Sequence, residues 1–343
     1  MGYLRFLLAL TVTIYHLWTL KVLGGVAVFG FFCISGFVIT KIINEVYGNT
    51  WKGKLYFLIN RILRIYPTYY LCLAIGFFCI WLTGDHHLQF SRLMVFPRNW
   101  HEWLPQIFIF GTAGNPLFPV AVLPSSWSLN VELVYYLVMG ILIGTSIRRC
   151  ITWCVVSMGI SGYLVWNHYQ FNYHYYTVYG SSFCFAFGAL LYHLKGRIPE
   201  TMLLPKPVAL TFASILAFIP ISLGRDFSIG GAGSENYYIY LYEVLPIFLY
   251  VIVSLDTYQK PNKLEQLAAD ISYPMFLLHM PIGEVVAQHL QSKTLFFWLV
   301  SLFITVAISF LVVLVTRYSI SSIRTTYRQK AAALSGFHRN KSH

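Results

Sequence analysis

The chain has 343 residues, of which 57% are hydrophobic and only 10% charged, with a net charge of +12. Soluble domains carry about 25% charged residues, so this composition, with a mean hydropathy of +0.62, excludes a soluble globular fold and leaves a polytopic membrane protein. The basic excess is scattered between apolar runs, which fits membrane orientation and argues against nucleic acid as a partner.

Apolar windows of about 17–23 residues are long enough to cross a bilayer core. In chain order they fall at 4–22, 26–43, 65–83, 128–145, 151–167, 178–195, 208–224, 238–255, 271–290 and 295–317. The predicted fold is therefore an all-α integral membrane bundle of about ten transmembrane helices. Assigning the connections to alternate sides puts nineteen Lys and Arg on the side of the N-terminus and five on the other. By the positive-inside rule both termini are cytoplasmic. The first run is read as a retained helix, since cleavage would remove both of its ionisable residues. The expected domains are a transmembrane unit over 1–317 and a basic cytoplasmic tail over 318–343, disordered or lying on anionic lipid. Residues 104–112 are too short to span and are expected to be interfacial or re-entrant. The 84–127 connection, with His86, His87, Trp100, His101 and Trp103, and a Gly-rich loop at 225–237 lie outside. None of the six cysteines falls in an external segment, so no disulfide framework is expected, and no metal-spaced His/Cys set is present.

Ionisable residues inside apolar runs mark functional sites by default. Arg5 and His16 share the first run. Eleven steps of about 100° bring them back to one face, about 16–17 Å apart along the axis. Arg61 and Arg64, in RILRIYP, stand i, i+3 on one face at the cytoplasmic end of the third span. They serve equally as flanking positive-inside residues or as a phosphate clamp, because guanidinium forks bind phosphate bidentately. With Arg5 they form a trio suited to a polyanionic cytoplasmic ligand. His16 is either a satisfied core histidine or a proton acceptor able to activate a hydroxyl. Glu132, in PSSWSLNVELVYY, is either a carboxylate favoured by a helix start or the group that orients His16. His279 lies between Pro274 and Pro281 in the ninth span. Glu243 and Glu284 are also intramembrane, with no partner legible from sequence. Ser35, in GFFCISGF, is one of a set of small residues that permit close helix packing.

Five blocks in order, Arg5 with His16, GFFCISGF at 30–37, RILRIYP at 61–67, SSWSLNVE at 125–132 and ISYPMFLLH at 271–279, resemble the integral-membrane acyltransferase-3 family, the group of bacterial O-antigen and Nod-factor O-acetylases. The resemblance implies an acyl-CoA-dependent O-acyltransferase. Its donor is cytoplasmic acyl-CoA, here taken as acetyl-CoA, and its acceptor is an extracytoplasmic hydroxyl, taken as that of a surface or exported carbohydrate. It implies that His16 is central to transfer and that Arg5, Arg61 and Arg64 are also required, and Glu132 matches the family's glutamate after W-S-L. His16 and Glu132 are accordingly read as catalytic and the three arginines as donor-binding, with His279, Trp127 and Ser35 as candidate substrate contacts. By analogy it places the protein in a bacterial inner membrane. Phe29 departs from the family pattern, standing where many members carry an acidic or polar residue. The alternative reading is a proton-coupled transporter or flippase for a glycan or lipid-linked substrate, with His16, Glu132 and His279 as a proton relay.

Overall fold

The computed structural model describes residues 1–18, 24–84, 88–111, 120–167, 171–222, 234–257 and 261–335; the paired histidines His86 and His87 and most of the 225–237 loop lie outside them. The described residues form α-helices and short helical turns, with no strand. They are α1 (Gly2–Leu17), α2 (Gly24–Ile42), α3 (Trp51–Thr83), α4 (Trp100–Phe108), α5 (Trp127–Val138), α6 (Ile147–Trp166), α7 (Phe171–Tyr175), α8 (Ser182–Leu194), α9 (Lys206–Ser222), α10 (Ser234–Asp256), α11 (Lys263–Ala287) and α12 (Leu295–Ser335). Each expected apolar window falls on one of these helices. Five helical stretches are long and apolar enough to cross a membrane, and Gly2–Leu17 is a shorter apolar helix.

Helix directions follow from contacts at both ends. Without a hydrophobic drive between helices in lipid, close approach depends on small residues. A Cβ on Gly2 would meet the Glu265 carbonyl oxygen at 2.1 Å, and one on Gly283 would meet the Leu17 side chain at 2.5 Å. Hence α1 and α11 run parallel in near contact along their whole length. In α2, Phe29 meets Phe183 of α8 and Phe37 meets Tyr192, so these two also run parallel. Gly24 abuts Tyr15 and Gly30 abuts Leu8, which makes α1 and α2 antiparallel.

Two stretches outside the apolar windows, 44–64 between the second and third and 318–335 after the last, are largely helical. The basic connection 44–64 becomes a π-turn at Ile43–Tyr47 and then the first fourteen residues of α3, started by the Thr50 side chain accepting from Gly53 N at 3.1 Å. The tail is corrected: α12 continues to Ser335, so 318–335 is helix and not disordered chain. At about 1.5 Å per residue, α3 and α12 are each longer than a bilayer core of about 30 Å and must project beyond it.

The short segment before α5 lies along α3. It starts beside Phe77, whose ring lies 5.2 Å from Trp103, and descends along α3. The hydroxyls of Tyr69, Tyr70 and Tyr66 donate to the carbonyls of Gln106, Ile107 and Phe108, at 2.7, 3.0 and 2.8 Å. From Phe77 to Tyr66 is a descent of about 16 Å. Irregular backbone at that depth is tolerated only where protein groups satisfy it. Buried Gln106 completes the task, donating to Val120 O at 2.9 Å and accepting from Val122 N at 3.2 Å.

Two buried carboxylates anchor helix ends. Glu284 accepts from the backbone N–H groups of Gln89, Phe90 and Ser91 at 2.8, 2.6 and 3.2 Å, and so pins the segment after α3 onto α11. At the other end of α11, before its apolar stretch, Glu265 pairs with the N-terminal ammonium at 2.8 Å and with Lys206. Burial pushes the Glu265 carboxyl up, but Lys206, the ammonium and the Gly2 N–H outweigh it and hold it down at about 2. A depressed carboxyl contributes stability above its ordinary pKa, about 4.5, and that stability is lost as pH falls toward about 2. Thermal unfolding in detergent is therefore expected to weaken across this acid window. Glu265→Gln is expected to lower the neutral-pH Tm and flatten the acid loss; an equally steep loss in the variant contradicts the assignment.

Candidate active site

The arginines predicted as a trio do converge. Arg5 from α1 and Arg61 and Arg64 from α3 line one cavity of about 90 Å³, with Ser35 of α2, Glu132 and Tyr136 of α5, and Ser272, Tyr273 and Phe276 of α11. That space holds several waters. The i, i+3 spacing of Arg61 and Arg64 works because α3 is already helical through them.

The cavity is electrostatically unbalanced. Arg61 is 7% exposed and its Nε has no hydrogen-bond partner. Its guanidinium lies over the rings of Phe57 and Tyr136, at 5.6 and 5.9 Å. The positive charges of Arg5, Arg61 and Arg64 act on one another, and Glu132 is the acid that opposes them. No carboxylate lies within ion-pair distance of any of the three among the described residues. Glu132 is instead held by neutral donors. Ser35 Oγ donates to its Oε1 at 2.6 Å, and the Tyr136 hydroxyl donates to the same oxygen. Both of these donors, among the described residues, serve Oε1 and not Oε2.

His16 sits in the last turn of α1, three turns beyond Arg5 on the same helix. Glu132 makes no hydrogen bond to it. Its neighbours are Tyr15, at 4.9 Å between ring centroids, and His279 of α11, at 5.3 Å with the planes inclined by 37°. His279 is fully buried; its Nδ1 lies 2.8 Å from the Phe276 carbonyl oxygen and its Nε2 has no partner. A carbonyl only accepts, so Nδ1 carries the hydrogen and Nε2 of the neutral ring is an acceptor. Phe276 lines the arginine cavity and packs on Phe31 at 5.8 Å, so these two rings stand between the arginines and the histidine pair.

Ser35 lies in the cavity, as Glu132's donor. Trp127 does not: it is buried against Phe32, Tyr175 and Tyr176, at 6.3, 4.6 and 4.8 Å. Phe29 belongs to the same aromatic cluster, 5.6 Å from Tyr175 and 5.8 Å from Phe183. Sequence reasoning missed Tyr136. Its signal was available, since Tyr136 stands i+4 from Glu132 on α5 and such pairs face each other. All six cysteines are free and buried. Among the described residues no three His, Cys, Asp or Glu come together as a metal set.

The all-helical membrane bundle thus carries an under-compensated arginine cavity at one end and, further along α1 and α11, a histidine pair in which His279 is buried and His16 half-buried. A family model described as an acyltransferase domain matches residues 1–314, and the chain belongs to that acyltransferase-3 family. No curated protein and no solved structure matches it.

A cavity kept for an anion is expected to cost stability when empty. Replacing a buried ionic group by apolar side chains of similar volume is often neutral or stabilising by about 1–4 kcal/mol. Arg61→Met is therefore expected to match or exceed the wild-type Tm in ligand-free protein, measured by thermal unfolding in detergent. A clear fall in Tm would assign Arg61 to the fold and not to a ligand.

Proposed function

We propose that the protein transfers an acyl group, acetyl in particular, from cytoplasmic acyl-CoA to a hydroxyl of an extracytoplasmic carbohydrate. Ten helices span a bacterial inner membrane, with both chain ends in the cytoplasm. The observation that carries this reading is the placement of one stripe of α1: Arg5 in the arginine cavity, and His16 three turns deeper beside His279.

Arg5, Arg61 and Arg64 hold phosphates of the donor through charge-assisted forks. The pantetheine arm then runs along α1 past Phe31 and Phe276. The axial distance of about 16–17 Å from Arg5 to His16 suits such an arm. At His16 the acceptor oxygen attacks the thioester carbonyl carbon, an O–C bond forms and the C–S bond breaks. His16 takes the hydroxyl proton and returns it to the leaving thiolate, so that the products are the ester and free CoA thiol.

The orienting role expected of Glu132 passes to His279. With Nδ1–H committed to the Phe276 carbonyl, Nε2 of His279 is available to accept from a His16 N–H. That would leave the other His16 nitrogen as a free base, the arrangement a general base needs. Glu132, fixed by Ser35 and Tyr136, partly offsets the arginine charge. The transporter reading would use the histidine pair as a proton relay but leaves the arginine cavity without a task.

The test is release of CoA thiol from acetyl-CoA by purified protein supplied with membrane-derived carbohydrate. General-base catalysis contributes about 10²–10⁴-fold. His16→Ala is expected to lose at least about 100-fold in kcat with donor affinity retained. His279→Ala is expected to displace the pH–rate profile as well as slow it. Full turnover in His16→Ala, or no thiol release by wild type with any acyl-CoA, overturns the proposal.

A further inference from the structure

The basic tail is not an appendage. Beyond the apolar part of α12 the helix continues to Ser335 and lies against the start of α3. Buried Asn60 of α3 donates to the Arg324 carbonyl oxygen at 3.0 Å, and one turn further out Tyr56 and Tyr327 pack with ring centroids 5.7 Å apart. These pairs set the register: Arg324 stands beside Asn60, adjacent to Arg61. The two helices are antiparallel here, and side chains lean toward the N-terminus of their own helix. Arg324 therefore leans toward the bundle, while Arg61 and Arg64 lean out to meet it. The charges of Arg64 and Arg61 act on Arg324 accordingly. Its Nε is buried without a partner, as is that of Arg61. The nearest acid acting on it, Asp270, is engaged by Arg317 at 3.3 Å. Helix α12 thus brings a fourth guanidinium to three that already lack carboxylate partners, and it uses a buried asparagine and a tyrosine pair to hold it there.

Arg324 does not line the arginine cavity. Held at Asn60, it stands on the outer side of Arg61 and Arg64, nearer the start of α3. Resting on the acyl-CoA reading above, we propose that the helical extension of α12 completes the donor site, with Arg324 binding the phosphate that lies furthest from the thioester. In acyl-CoA the diphosphate joins the pantetheine arm to the nucleotide, and a separate 3′-phosphate sits on the ribose beyond it. With the diphosphate at Arg61 and Arg64, the 3′-phosphate is the group left for Arg324. An anionic lipid headgroup offers the same phosphate chemistry, and the experiment separates the two.

The measurement is affinity of the full-length detergent-purified protein for acetyl-CoA and for acetyl-3′-dephospho-CoA, in wild type, Arg324→Ala, Arg324→Gln and Arg61→Ala. Wild type is expected to prefer acetyl-CoA by about tenfold or more, about 1.4 kcal/mol. Both Arg324 variants should bind the two donors alike, with the wild-type affinity for the dephospho form and an unchanged Tm. Arg61→Ala should weaken both donors and keep the preference. A preference that survives in both Arg324 variants overturns the inference while leaving the acyl-CoA reading in place. Failure of wild type to bind either donor overturns both. Repeating the titration in nanodiscs with and without anionic lipid reads the other source. If Arg324 variants lose lipid binding and keep the CoA preference, the residue is a headgroup contact and the proposal fails.

Discussion

Holding like charges beside one another in a bundle interior is unfavourable in the absence of a counter-charge. Arg5, Arg61 and Arg64 meet in one cavity where a single carboxylate opposes them, and that carboxylate is bonded to a serine and a tyrosine. In the low dielectric of a bundle interior, such repulsion is costly unless an anion compensates it. The rest of the architecture keeps the group together. α1 is drawn against α11 by Gly2 and Gly283, α3 is extended into the basic end, and α12 folds down over that extension. The cost of the empty cavity and the polyanion affinity we propose for it have the same physical origin.

The second consequence is a division of labour along α1 and α11. Both run parallel from the arginine end to the histidine pair, so any displacement of α1 would move Arg5 and His16 together. In the mechanism we propose, the distance between the phosphate anchor and the reacting group is then a property of one rigid helix, and a fixed spacing of this kind is what positioning catalysis requires. The carboxylate cradle at Glu284 and the tyrosine-capped segment along α3 support the opposite end, where backbone that is not helical would otherwise be unsatisfied.

Local pattern revealed what local pattern determines. The apolar windows place every principal helix, and helical phase puts Arg5 with His16 and Arg61 with Arg64. Pairings across the chain were invisible. Nothing in the sequence around Glu284 points to the amides of 89–91, nearly two hundred residues away, and nothing near Glu132 distinguishes Ser35 from His16 as its partner. The histidine at 279 reads as a buried residue until α11 is laid beside α1. Hydropathy also cut helices where polarity begins, so the polar starts and ends of α3 and α12 read as loop and tail. Those segments are helical because Thr50 caps one and because each packs against the other through Asn60 and Tyr327. Tertiary contact there outweighs composition.

The most direct test of the anion cavity is a thermal-shift titration of the purified protein with acetyl-CoA, on wild type and on the Arg61→Ala/Arg64→Ala double variant. A ligand that binds only the folded state stabilises it by about 2.7 kcal/mol at a hundred times its dissociation constant. A saturable rise in Tm for wild type that is absent in the double variant is the predicted result. An equal rise in both proteins would place the donor elsewhere and contradict the account.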